Sequence, residues 1–311
     1  MADMQVTTQE VKKSIKDAQS AEDAMRIAGM DWHVDQVPMV TASGLDVPKH
    51  KALVRSDNSR VLAVVGKDFQ PLQNHEAFAF ADTFRDRFGG NYESAYCLSH
   101  GARIMLQLKI NGGFDLPSKE GEDHIDKYLT LFENRGGGGV QGFFTTIRVF
   151  CTNQFRSLKN NKAESFSIRH TKNMKARIEE AFTVFSMSQK WFQVFEEKAR
   201  YLAQKQVDKK MVESFLDTVI GLPITEEWNE EQGKNIRVEH PRILAQRARV
   251  VELFEGGKGN HGENAWELMH GVTEMVDHYK HTNNADKRFS SALLGSGADV
   301  KQVAFEAAMA L

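Results

Sequence analysis

Cysteine is almost missing from this chain, which has 311 residues and two of them, Cys97 and Cys151. That excludes a disulfide scaffold, and the pair lies too far apart for any metal or redox spacing. Proline is scarce, six residues in all, so long Pro-rich linkers are absent and any domains are joined closely. No apolar run approaches the roughly 18 residues that a membrane-spanning helix needs. The start, Met1 to Lys16, is polar and carries acids, so we expect neither a secretory leader nor a transit peptide. Net charge is nearly absent too, -2 from 40 basic and 42 acidic residues. What remains is ordinary globular composition, 41% hydrophobic and 26% charged, enough for a proper core. The expected location is the cytoplasm, away from membranes.

The small total hides an asymmetry. Between Arg135 and Ile178 stand Arg135, Arg148, Arg156, Lys159, Lys162, Arg169, Lys172, Lys175 and Arg177, opposed only by Glu164. This window carries +8, and the remaining 31 basic and 41 acidic residues carry -10. Such a block is the electrostatic footprint of an anionic partner, nucleic acid first. A solvated basic face paired with the acidic remainder is the plainer alternative.

Periodicity predicts an α+β fold: an antiparallel sheet with packed helices, then a mainly helical C-terminal region. The division falls at 1–171 and 172–311. Thr7 with Glu10 and Ser20 with Asp23 have capping-box spacing, which predicts two short opening helices, the second ended by Gly29. Short β-branched runs near 36–41, 51–56 and 60–66 read as a meander. Asn74 to Phe88 has helical spacing. Ala102 to Ile110 alternates as a strand, and Ile125 to Glu133 and Gly142 to Cys151 add two more. From about Lys172 the spacing turns helical. Ile178, Phe182, Phe185, Phe192, Phe195, Ala199 and Leu202 form a heptad stripe that must pack on its own sheet or on a second subunit, from which we expect a homo-oligomer. Helices are expected over Asp208 to Ile220, Pro241 to Phe254, Asn264 to His281 and Asp299 to Ala310. The glutamates at 226, 227, 230 and 231 read as an acidic linker.

Motifs for catalysis are weak. Gly137, Gly139 and Gly142 satisfy G-x-G-x-x-G, but a strand follows where dinucleotide binding needs a helix N-terminus. A hairpin turn is the simpler reading of that loop, with close backbone approach to a phosphate chain the alternative. Gly257-Lys258-Gly259 lacks the Walker Ser/Thr. His270, Glu274 and His278 share one helix face without a metalloprotease motif, and a solvated or interface face is the simpler reading. Along 143–151, alternation puts Phe143, Thr145, Ile147, Val149 and Cys151 on a core face. Phe144, Thr146, Arg148 and Phe150 take the other. Aromatics beside a guanidinium, entering a basic segment, suit a single-strand site where bases stack and cations track phosphates. Burial of Phe144 and Phe150 under a helix, with Arg148 in an ion pair, is the alternative.

Several segments together resemble the phage/plasmid-like protein family built on a domain of unknown function numbered nine-three-two. They are Gly29-Met30-Asp31-Trp32-His33-Val34, Val65-Gly66-Lys67-Asp68-Phe69-Gln70-Pro71-Leu72-Gln73-Asn74, and Arg148-Val149-Phe150-Cys151-Thr152-Asn153. Ile168-Arg169-His170-Thr171, Asn264-Ala265-Trp266 and Val272 to His278 complete the set. The chain departs from the family at Asn134 to Gly139, where a His-Asp-Gly type sequence is common. The resemblance implies a phage or mobile-element setting, hence host-cell cytoplasm, and no established activity. The order of sheet, helix and basic strand also looks similar to ring-forming single-strand annealing proteins of the Red beta and Rad type, by fold-level analogy.

The function expected is binding of single-stranded DNA or RNA, extending to ATP-independent strand annealing in recombination or replication. Phosphate contacts are assigned to Arg135, Arg148, Arg156, Lys159, Lys162, Arg169, Lys172 and Lys175, and stacking to Phe144 and Phe150. No catalytic residue, metal or cofactor is expected, because base pairing itself drives annealing. The alternatives are a protein-interaction or host-inhibitor module without nucleic-acid binding, and a metal-dependent nuclease drawing on His270, Glu274 and His278.

Overall fold

The computed structural model describes residues 12–119, 121–148, 153–156, 165–170, 188–230, 233–279 and 285–311. Its helices are α1 (Ala21–Ala28), α2 (Asn74–Phe88), α3 (Ser188–Gln204), α4 (Lys209–Val219), α5 (Pro241–Gly256), α6 (Ala265–Glu274), α7 (Ala285–Leu294) and α8 (Ser296–Ala310). The caps are local and chemical. Ser20 accepts the amide of Asp23, and Gly29 ends α1 in the left-handed region at φ 66°, where a side chain would be strained. Glu76 accepts the Gln73 amide at 3.0 Å, Asp208 that of Met211 at 2.8 Å, and Asn264 that of Glu267 at 3.0 Å. Each satisfies an orphan donor of a first turn.

A separate antiparallel meander joins β2 (Val34–Val40), β3 (Asp46–Arg55) and β4 (Val61–Gly66). The main sheet contains β1 (Lys12–Ser14), β5 (Asn91–Leu98), β6 (Arg103–Ser118), β7 (Gly121–Asn134), β8 (Gly139–Arg148), β9 (Asn153–Arg156) and β10 (Ser165–Ile168). Its order is β1-β5-β6-β7-β8-β10, with β9 also on β8, and every pairing is antiparallel. The α+β class is therefore as expected.

Both faces of this sheet are covered. On one, Ala95, Leu106, Leu131 and Phe144 share a core with Phe78, Phe80 and Phe84 of α2 and Phe192 of α3. On the other, Tyr96, Met105, Phe132 and Phe143 pack with Phe289 and Leu293 of α7. A polar row crosses the second face: Ser94 Oγ and Tyr96 OH each donate to Gln107 Oε1 at 3.0 Å. Gln107 Nε2 reaches Thr130 Oγ1 at 3.4 Å, and Thr130 meets Thr145 at 2.9 Å. A satisfied buried row of this kind pins strand register, because a one-residue slip would drive it into the opposite apolar face.

The helical half shares its core with the sheet. Phe195, Ala199 and Leu202 of α3 pack with Phe114, Leu116 and Ile125 of the sheet and with Trp266 of α6. The described part of the heptad stripe is thus covered within the chain, and Ile178, Phe182 and Phe185 lie outside the described residues. That packing accounts for the described part of the stripe without a second subunit.

Three expectations are corrected. Lys12–Ser14 is not helical but pairs with Ser94 to Tyr96, since a ready sheet edge outcompetes a short helix with a costly nucleus. The acidic linker is a hairpin of β11 (Ile224–Asn229) and β12 (Lys234–Glu239). The helix face of His270 and Glu274 is not solvated, for α6 is buried along its whole length.

Candidate nucleic-acid interface

β8 organises the basic segment. Its residues Thr145 to Arg148 pair with β9, and Val140 to Phe143 pair with β10. The two short strands therefore lie end to end along one edge of β8. Residues 157–164 join them, and Arg169 stands exposed just past β10. Chain connectivity thus ties the basic segment to a single sheet edge.

Arg148, assigned above to phosphate, is interior. It is 2% exposed, and its Nε donates to Asp123 Oδ2 at 2.5 Å. Its terminal nitrogens donate to Asn260 Oδ1 and to the Gly259 carbonyl. Trp266 Nε1 donates to the same Asp123 oxygen at 3.2 Å. Burial pushes the Asp123 carboxyl above its usual range and the Arg148 charge pulls it back. Arg148 is therefore a strut between the sheet and the α5–α6 loop. The ion-pair alternative describes it, and the phosphate assignment is corrected.

Arg135 is likewise withdrawn from solvent, at 0% exposure. Its Nη1 donates to the Gly101 carbonyl at 2.7 Å and its Nη2 to Asn74 Oδ1 at 2.5 Å. Nη2 also lies 2.9 Å from Glu133 Oε2. Two guanidiniums lie over the Trp32 ring, with Arg55 Cζ at 4.1 Å and Arg135 Cζ at 5.0 Å from its centroid. Asn74 Nδ2 donates to the Met30 and Trp32 carbonyls at 2.9 and 2.8 Å. His170 Nδ1 lies 3.1 Å from the Gln70 carbonyl, and its ring is 4.5 Å from that of Phe69. Four sequence-distant motifs, around Trp32, Phe69 to Asn74, Arg135 and His170, meet at one junction between meander and main sheet. The Gly136 to Gly138 stretch is the β7–β8 hairpin turn.

Phe144 is fully buried. Its ring centroid is 6.0 Å from Trp191, stacked, and 5.3 Å from Phe192, edge on. It belongs to the core under α3 and is not a platform for bases, because the strand is covered on both faces. Of the other assigned residues, Arg156 closes β9 with its backbone paired to Thr145. Phe150, Lys159, Lys162, Lys172 and Lys175 lie outside the described residues.

The residues that hold β9 in place carried no local sequence signal. The Gln154 amide donates to Asp277 Oδ2 at 2.9 Å, and Lys301 Nζ donates to the Gln154 carbonyl at 2.6 Å. Asp277 belongs to a single π turn, Met275–Tyr279, that follows α6. Such a turn re-aims side chains out of helical register. His270 packs edge on against Trp266, 4.3 Å between ring centroids, and burial lowers its pKa well below the usual value. Among the described residues no three His, Cys, Asp or Glu side chains converge as a metal site. Nor is any described helix long and apolar enough to cross a membrane.

Fold and junction define an α+β protein whose antiparallel sheet is covered on both faces and whose β8 edge is paired with β9 and β10. The family model described as Domain of unknown function (DUF932) matches residues 61–293, and the chain belongs to that family. No curated protein and no solved structure matches the chain, so the likeness to ring-forming annealing proteins gains no support.

Proposed function

We propose that the protein binds single-stranded nucleic acid through the basic segment tied to the β9–β10 edge. The observation that carries this reading is the charge left after the interior is accounted for. With Arg135 beside Glu133 and Arg148 beside Asp123, seven basic residues of the 135–178 window still face only Glu164, a net +6. Arg156, Lys159, Lys162, Arg169, Lys172 and Lys175 are the phosphate contacts in this reading, and Phe150 is the stacking residue. Strand annealing follows as the finer proposal: a protein that neutralises phosphates on two strands lets base pairing supply the driving force, with no nucleotide cofactor required.

The test is a mobility shift with single- and double-stranded oligonucleotides over a salt series. A phosphate-tracking segment loses affinity linearly on a log-log plot, with a slope of about -0.7 per phosphate on single strands. Absence of binding at low salt defeats the proposal. Binding without faster pairing of complementary strands defeats the annealing step alone.

A further inference from the structure

One end of the main sheet gathers hydrogen-bond donors with no acid to meet them. Leu98, Arg103, Asn134 and Gly139 stand in register across β5, β6, β7 and β8. Arg103 and Asn134 are cross-strand partners two residues beyond Met105 and Phe132, so they share the face that packs on α7. Arg103 Nη1 donates to Ser290 Oγ of α7 and Nη2 to Ser99 Oγ, both at 2.8 Å. Asn134 Oδ1 accepts the Gly136 amide at 3.1 Å. That bond fixes which way the side chain points, and its amide nitrogen then makes no hydrogen bond among the described residues. No described carboxylate pairs with Arg103 either. Ser99, Arg103, Asn134 and Ser290 are all half-buried, within reach of solvent.

The turn that supplies Ser99 is built for its place. Ser99 and His100 have φ of 49° and 61°, left-handed values that side chains rarely adopt. The turn is pinned from behind. Arg55 Nη1 donates to the His100 carbonyl at 2.9 Å, and Arg135 Nη1 to the Gly101 carbonyl at 2.7 Å. Backbone strain of this kind persists only where the surroundings over-determine it. Next to Asn134 the chain carries no side chains, from Gly136 to Gly138, and a Cβ added at Gly137 would meet nothing within 4 Å. Approach to the donors is therefore open from the β7–β8 turn.

We propose that Arg103, Asn134, Ser99 and Ser290 form a binding site for a phosphate group. A carboxylate presents its oxygens in one plane. A phosphate presents them around a tetrahedron, and so meets a guanidinium, hydroxyls and an amide together. The group belongs either to a nucleic-acid backbone or to a free phosphate ester. Arg169 lies at the same sheet end, since it follows Ile168, the partner of Val140. Three strand spacings, about 14 Å, separate β6 from β10, a span that a short stretch of single strand covers. As a site for backbone phosphate the cluster rests on the nucleic-acid reading, and as a site for phosphate it does not.

Magnetic resonance of the isotope-labelled full chain locates the site, with inorganic phosphate titrated against sodium chloride of equal ionic strength. The Asn134 side-chain amide and the Arg103 Nε–H should shift with phosphate and not with chloride. Arg103→Gln should weaken phosphate about 10-fold or more, read on the Asn134 amide, for one lost charge-assisted bond. Ser290→Ala keeps the charge and should weaken it about 3-fold. Arg169→Gln should leave the Asn134 titration unchanged. Each affinity is read from resonances of the folded chain, so lost stability does not pass for lost binding. Phosphate shifts that fall elsewhere on the chain, or an Asn134 titration that Arg103→Gln leaves intact, overturn the inference. Equal shifts with chloride overturn it as well. A single-stranded oligonucleotide then names the source. A salt slope shallower by about 0.7 in Arg103→Gln assigns a backbone phosphate, and an unchanged slope assigns a free phosphate ester. A wild-type chain that binds inorganic phosphate here but no oligonucleotide defeats the function proposed above and leaves this site standing.

Discussion

Asp277 and Lys301 close an ion pair at 2.7 Å, and both then reach the backbone of one edge residue, Gln154. Together they supply the donor and acceptor that a neighbouring strand would give, and so shield an otherwise open edge. The π turn makes this possible, because it swings Asp277 out of line with α6.

Breaking that pair should be expensive. Asp277→Ala leaves the Lys301 ammonium, 3% exposed, without its counter-charge, and should cost about 3–5 kcal/mol. Asp277→Ala combined with Lys301→Met should cost less than the two single changes added together, because no uncompensated charge remains. Urea midpoints of the three variants measure both effects. Equal, additive losses would show that the pair has no coupling.

The β7–β8 turn separates glycines that are required from one that is not. Gly139 has φ 78°, and a Cβ there would lie 2.3 Å from the Ile168 carbonyl oxygen. Gly139→Ala should therefore destabilise by about 2 kcal/mol or more, from a strained φ and from a clash with the β10 backbone. At Gly136 the nearest atom to an added Cβ is 3.6 Å away, and Gly136→Ala should stay within about 0.5 kcal/mol of wild type. Thermal melts of the pair decide the matter.

Local signals in the sequence were reliable where a single element explains them. The cap at Ser20, the helix Asn74–Phe88 and the alternation of β6 all stand as read. Alternation along β8 was also correct, yet it could not show that both faces are covered, and so it left Phe144 on the wrong side of the argument. The partners of Arg148 explain why. Asp123 and Asn260 lie 25 and 112 residues away, and no spacing rule links them. The helix of His270 did carry a warning: Trp266, Leu268, Met269, Val272 and Val276 leave little polar face, the pattern of a helix buried all round. In β11–β12 the glutamates concealed an alternation visible in Thr225, Ile236 and Val238.

Glu133 contributes one distinct part of the acid–base behaviour. Burial pushes its pKa from 4.5 up to about 7, with the Arg135 charge acting in the opposite direction. The folded state thus holds the proton more tightly than the unfolded chain. This contribution to stability is full below about pH 4.5, is lost as pH rises to about 7, and is flat beyond. Its slope approaches about 1.4 kcal/mol per pH unit. His124 has the same sign, since its hydrogen bond to Asp115 raises its pKa above 6.5, and its share is lost at higher pH. Glu133→Gln should remove the Glu133 fall in urea midpoint between pH 4.5 and 7. It should leave the parts that come from His124, from Asp123 and Glu274 of the same sign, and from His270 of the opposite sign. A profile unchanged in Glu133→Gln would refute the assignment.

Interior and edge arginines should separate cleanly in one experiment. Arg148→Ala leaves Asp123 buried without its cation, and should lower stability by about 3–5 kcal/mol. Phe144→Ala opens a cavity beneath Trp191 and Phe192, at about the same cost. Neither change alters a residue assigned to phosphate in the proposal, so wherever these variants remain folded the salt dependence of single-strand affinity should match wild type. Arg169→Gln reverses the pattern. Its side chain is exposed, so the urea midpoint should hold, while the log-log salt slope becomes shallower by about 0.7 for one lost phosphate contact. Lys172→Gln and Lys175→Gln should each add a similar step. Measuring midpoint and slope on the same preparations keeps unfolding from passing as lost affinity. A shallower slope in folded Arg148→Ala, or an unchanged slope in the combined Arg169, Lys172 and Lys175 variant, would place the phosphate contacts elsewhere on the chain.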